Sequence, residues 1–267
     1  MAKSQKPKRS LPVRIVRGLL LLIVLGAAVV LALRLWGYYQ GAETYRELQM
    51  QMQPSVSQTS QENSDDAAAG SEEENSKETP LLNIDFESMW KQNEEVVAWL
   101  EFPALGISYP VMHTDNNRYY LNHLWNGQEN QSGSLFLDAN NGSINDLYTI
   151  VYGHNMHDGS MFGLFNRYLD EDFCKENGAS FRLYTPEGTW QYDVFTVAEV
   201  PNDDKIYTTG YSKGELYDSF LKDLASYTLY DTGTEVQPGD TVMTLSTCTA
   251  SDSIRRVLCA RRAKQLQ

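Results

Sequence analysis

The chain has 267 residues, and 22 Lys and Arg stand against 35 Asp and Glu for a formal net charge of −13. At 42% hydrophobic and 21% charged residues it has globular composition, which excludes collagen-like and fibrous classes. Residues 1–17 carry six basic side chains and no acid, so the remainder is strongly acidic and would repel phosphate, which argues against nucleic acid as a partner.

Lys3, Lys6, Lys8, Arg9, Arg14 and Arg17 form a basic tail, and sixteen uncharged residues follow from Gly18 to Leu33. As a helix that run spans about 24 Å, slightly short of a hydrocarbon core of about 30 Å. Ile15, Val16, Leu35 and Trp36 extend it if Arg17 and Arg34 snorkel toward headgroups, and Trp36, Tyr38 and Tyr39 fall where interfacial aromatics sit. The polar N-terminal stretch is long, and the alanines at 27, 28 and 32 offer no A-x-A cleavage site, so an uncleaved anchor over residues 18–36 is expected. The basic tail, residues 1–17, then stays cytoplasmic and the rest lies outside the membrane. Residues 37–80 read as an extracellular linker. GAETYRELQMQMQ can continue the helix for a few turns. Residues 51–80, with six Ser, four Gln, seven acids and no aromatic, cannot bury enough apolar surface to offset their ordering entropy.

Residues 81–267 are expected to fold around one core. FESMWKQNEEVVAWLEF (86–102) is compatible with one or two short helices. Beyond it, ISYPVM, GSLFLD and LYTIVYG are strand-like runs between Asn- and Gly-rich turns, and SFRLYT–PEG–TWQYDVFTVAEV carries a hairpin signal. KGELYDSFLKDLAS (213–226) is helical, with Leu216, Phe220, Leu221 and Leu224 on one face. TVMTLSTC and RRVLCAR close the chain as strands. Many short strands with few helices favour a closed barrel or a sandwich.

Three cysteines, Cys174, Cys248 and Cys259, are too few for a disulfide scaffold and too scattered for a zinc ribbon. Cys248 ends the Thr-rich strand TLSTC, and His154 follows the strand LYTIVYG just past its end. Arg255 and Arg256 open the final strand after the polar loop TASDSI. A Cys, a His and an Arg at three strand ends form a constellation for acyl transfer: thiolate attack, proton handling by imidazole, and oxyanion stabilisation by guanidinium. Each residue alone has a plainer reading, as a buried thiol, a turn histidine or a solvated edge charge.

TLSTC followed by a loop and R-x-V resembles the signature of sortases, the membrane-anchored cysteine transpeptidases of Gram-positive bacteria. From Val96 onward, VVAWLEFPALGISYPVM, DNNRYYLNH, GSLFLDANN and VYGHNM follow in an order similar to class B sortases. The resemblance implies a mainly β fold, a closed eight-stranded β-barrel with N-terminal helices and a few peripheral ones, preceded by one transmembrane helix. It also implies a site of His154, Cys248 and an arginine. Setting Val257, Leu258, Ala260 and Arg261 on the family's strand pattern leaves Arg255 as catalytic, with Arg256 where an apolar residue is usual, and strand alternation points the two to opposite faces. Tyr152 and Ser246, each two residues before a catalytic position, match groove-lining residues. Asn117 and Leu121 match a second pair, although core packing is an equal reading for Tyr152 and Leu121.

The function so implied is cleavage of a C-terminal sorting signal, NPxTN-like, after Thr, and transfer of the protein to a peptidoglycan amine, without cofactor or metal. The partners are sorting-signal-bearing surface proteins, a peptidoglycan precursor or cross-bridge amine, and the membrane. A pilin-polymerising sortase and a non-catalytic anchored surface module are alternatives. An L,D-transpeptidase would carry glycine directly before the cysteine, where Thr247 stands, and a papain-like protease a helix-borne cysteine. His113, His123 and His157 read as surface or loop histidines, and Cys174 and Cys259 as inert packing residues for which a mutual disulfide is possible.

Overall fold

The computed structural model describes residues 11–52, 80–248 and 253–267, with Cys248 placed by its backbone. The first ten residues of the basic tail, the Ser- and Glu-rich stretch 53–79 and the loop 249–252 lie outside the described residues.

Helix α1 runs from Leu11 to Gln51. Its apolar side chains from Ile15 to Leu35 are exposed, and from Ile15 onward it is long and apolar enough to cross a membrane. The last turns differ in character. Tyr45, Leu48 and Met52, within the stretch that the sequence reads as linker, are buried in the main core of the barrel. The Tyr45 hydroxyl bonds the Gly133 carbonyl at 2.7 Å and Ser134 Oγ at 2.8 Å, and Gln49 Nε2 donates to the Ser108 carbonyl.

Eight strands then close a barrel: β1 (Val96–Phe102), β2 (Ile107–Met112), β3 (Leu135–Leu137), β4 (Tyr148–Gly153), β5 (Ser180–Thr185), β6 (Gly188–Pro201), β7 (Val242–Cys248) and β8 (Ile254–Gln265). Around the barrel the order is β1-β2-β3-β4-β7-β8-β6-β5. Of the two architectures left open by strand spacing, the closed one forms. Closure leaves no unpaired sheet edge.

Short helices α2 (Phe86–Trp90), α3 (Glu171–Asn177) and α4 (Glu215–Ser226) decorate it. The helical expectation for 86–102 holds only for Phe86–Trp90; residues 96–102 are β1. That strand pairs with β2 on one side and β5 on the other and is buried on both faces. A strand buried on both faces reads as an unbroken apolar run, which periodicity alone does not separate from a buried helix. In α4 the buried face is Tyr217, Phe220, Leu221 and Leu224, the i, i+3, i+4, i+7 set, whereas Leu216 is 79% exposed. The hairpin forms as expected, with Thr185 paired to Gly188 across Pro186 and Glu187.

The main core draws on all eight strands and includes Trp99, Val151, Phe181, Leu183, Leu245 and Leu258. A second cluster lies against the other face of β4, β7 and β8, where α4 covers Tyr148, Ile150, Val242, Val257 and Cys259. One wall of the barrel is therefore packed on both faces along most of its length. Its strand ends run beyond that cover, and the cleft lies there.

Candidate active site

β4 and β7 run parallel, with Tyr152 beside Ser246 and Gly153 beside Thr247. His154 and Cys248 each follow that last pair by one residue. β7 and β8 run antiparallel, and Cys248 faces Arg255 directly. Three separated sequence motifs thus meet at adjoining strand ends. Beside them is a cleft of about 320 Å³ lined by Asn117, Leu121, Tyr152, His154, Ser246 and Arg255, all singled out from the sequence. Phe136, Gly153, Asn202, Tyr207 and Thr247 also line it, and the sequence alone gives their side chains no role.

Local packing explains how the histidine is presented. A Cβ at Gly153 would lie 2.5 Å from Leu135 and 2.6 Å from Phe162, so only glycine lets β4 run this close to its neighbours before the ring. After it, the Phe162 N–H donates to the His154 carbonyl at 3.0 Å and folds the loop back. The ring's Nε2 bonds the Leu121 carbonyl. A carbonyl only accepts, so this bond requires the proton on Nε2 and leaves Nδ1 as the second proton site.

The wall of the cleft is aromatic. Tyr152 packs on Phe136 with centroids 5.3 Å apart and stacks on Tyr207 at 6.3 Å, and Tyr207 shares a 3.0 Å hydrogen bond with Ser246 Oγ. Burial pushes the Tyr152 hydroxyl far above the ordinary tyrosine range, with the neighbouring Asp138 carboxylate adding to the shift, so it stays a neutral donor. That donor points at Asp138 Oδ2, 2.8 Å away.

The two neighbouring arginines diverge. Arg255 lines the cleft and donates from Nη1 to the Ile254 carbonyl at 3.1 Å. Arg256 is buried, and its Nη2 meets Glu199 Oε1 at 2.7 Å on the directly opposed residue of β6. Its Nε is a buried donor without a hydrogen-bond partner among the described residues.

Cys174 and Cys259 are buried and free rather than bridged. Burial pushes the Cys259 thiol up to about 12 and raises that of Cys174, so both are poor nucleophiles at neutral pH. His123 stacks on Tyr119 at 3.9 Å, His157 is exposed, and His113 is half-buried, its Nε2 without a hydrogen-bond partner among the described residues; none of the three is among the described residues that line the cleft. Among the described residues no three His, Cys, Asp or Glu side chains gather as metal ligands.

A sequence profile of the Sortase domain matches residues 100–263. Sortase B of Listeria monocytogenes is 32% identical over 159 residues, which cover 59% of this chain and 64% of that protein. The chain thus spans somewhat less than two thirds of that relative's length. The crystal structure of Clostridium perfringens sortase B superposes with a TM-score of 0.63 at 27% identity, over 67% of this chain and all of the other. Sortase B from Bacillus anthracis, solved in complex with AAEK1, gives 0.61 at 34% identity over 67% of this chain and 84% of that one. With the same closed barrel, the TLSTC strand beside the YGHNM strand, and a matching profile over more than half its length, the chain belongs to the sortase family of cysteine transpeptidases and to its class B.

Proposed function

We propose that this chain is a membrane-anchored transpeptidase in which Cys248, His154 and Arg255 do the chemistry. The observation that carries the reading is the register that sets these three residues on adjoining strand ends beside one cleft. The Cys248 thiolate attacks the carbonyl of Thr in a sorting signal, NPxTN-like by the family resemblance. The tetrahedral oxyanion is held by the Arg255 guanidinium. As the C–N bond breaks, His154 delivers a proton to the departing amine, and a thioester joins the substrate to Cys248. A peptidoglycan amine then attacks the thioester, gives its proton to His154 and expels the thiolate. Asn117, Leu121, Tyr152 and Ser246 line the substrate groove. The fixed cation matters in this chain because residues 81–254 hold 26 acids against eight basic side chains, a field that disfavours both thiolate and oxyanion.

Helix α1 serves as a single-pass anchor, with the basic tail cytoplasmic and the barrel outside, in keeping with six positive charges before the apolar run. The test is Cys248→Ala. It should abolish cleavage of NPxTN and LPxTG peptides while the thermal midpoint stays within about 2 °C of the parent. Retained turnover would overturn the assignment.

A further inference from the structure

Asp138 is a buried acid just past the end of β3, 3% exposed, that the chemistry above leaves without a task. Its carboxylate collects four donors. Oδ2 accepts from Tyr152 Oη at 2.8 Å and from Asn117 Nδ2 at 3.0 Å, and Oδ1 accepts from the backbone N–H and side-chain amide of Asn140. The Asn117 carboxamide is used at its other end too, because its Oδ1 accepts from the Ala139 N–H at 2.8 Å. The Asp138 N–H in turn bonds the Ile150 carbonyl on β4 at 2.8 Å. Two cleft-lining residues from separate chain segments are therefore fixed on one oxygen atom. Asn117 also begins the segment that turns through residues 119–121, and Leu121 at its end lines the cleft and accepts the His154 ring.

We propose that Asp138 is a positioning residue of the substrate groove, holding Asn117 and Tyr152 at the spacing that the sorting peptide requires. The proposal rests on the transpeptidase reading given above. Only a carboxylate fits this place. An amide presents one oxygen and one NH₂, so either orientation of an asparagine sets its own N–H against the Tyr152 and Asn117 donors or against the Asn140 donors. Asp138 does not touch the reacting atoms. Its loss should therefore appear in binding of the peptide and leave the reactivity of Cys248 alone.

The test uses the full chain in membranes or detergent, on whichever of an NPxTN or LPxTG peptide the parent cleaves. Failure of the parent to cleave either, or cleavage that survives Cys248→Ala, would refute the transpeptidase reading and not this proposal. Given cleavage that depends on Cys248, Asp138→Asn should raise KM by roughly tenfold or more with kcat within about threefold, the size of a lost hydrogen bond to a charged group. Alkylation of Cys248 by iodoacetamide, which needs no groove, should keep the parent rate. Tyr152→Phe should raise KM by roughly two- to fivefold alone and by less than that in the Asp138→Asn background, because the two substitutions disturb one shared contact. An unchanged KM, or independent multiplication of the two effects, would overturn the proposal. If Asp138→Asn fails to fold, Tyr152→Phe alone decides, and an unchanged KM overturns it.

Discussion

The two faces of the β4–β7–β8 wall follow opposite rules. Toward the barrel interior lie Val151, Met243, Leu245, Leu258 and Ala260, all fully buried, and Arg256, a polar residue on that face of β8, is paired with Glu199. On the other face α4 covers the middle of the wall, but the strand ends carry Tyr152, Ser246 and Arg255 into an open cleft. Strand alternation is what separates them, since neighbouring residues in one strand point to different faces. Scaffold and cleft can thus be interleaved one residue apart, and Arg255 and Arg256 are adjacent in sequence while serving unrelated environments.

The sharpest way to break that contrast is to exchange each arginine for lysine. Arg255→Lys keeps the charge but loses the planar fork, and should lower kcat by about 10²–10³-fold, the usual cost of an oxyanion donor. Arg256→Lys should change kcat by less than about twofold and show its cost as a lower thermal midpoint, because Arg256 faces Glu199 and not the cleft. If Arg256→Lys is the variant with crippled kcat, the assignment of faces is wrong.

On the inner face the expected effect moves from rate to stability. Leu245→Ala should destabilise the barrel by about 2–5 kcal/mol in denaturant unfolding, through lost transfer energy and a residual cavity. Its kcat on the folded fraction should be unchanged. The smallest effect concerns the turns of α1 that enter the core. Tyr45→Phe removes the bonds to Gly133 and Ser134 but keeps the ring packed on Tyr109, with centroids 5.1 Å apart. It should cost about 1–2 kcal/mol and leave kinetics untouched; no change in unfolding free energy would show that these turns do not support the barrel.

Much of this arrangement is legible in the chain. Short runs between Asn, Gly and Pro turns mark the strands from Ile107 onward, and the hairpin at Pro186-Glu187 is visible in its turn residues alone. The strand β1 is not, because burial on both faces erases the period-two pattern that distinguishes a strand. The cleft shows the same division. His154, Ser246 and Arg255 lie in compact motifs at strand ends, so their neighbourhood follows from the register of β4, β7 and β8. Tyr207 and Asn202 come from the segment after β6, where no periodicity says which way a side chain points. Asp138 carries the least signal of all, since GSLFLDANN reads as a strand and a polar turn, and only the fold brings Asn117 and Tyr152 onto its carboxylate. For Leu216 the composition of α4 misled: two overlapping apolar stripes exist, and the one with Tyr217 packs.

If strand ends decide which of the three cysteines reacts, Cys248 alone should be modified in the folded protein. A peptide vinyl sulfone carrying the sorting pattern, incubated with the full chain at neutral pH and mapped by mass spectrometry, measures this directly. The predicted result is one adduct, on Cys248, with Cys174 and Cys259 labelled only after unfolding because both thiols are buried and raised. An unmodified Cys248, or labelling of Cys174 or Cys259 at a comparable rate in the folded protein, would contradict it.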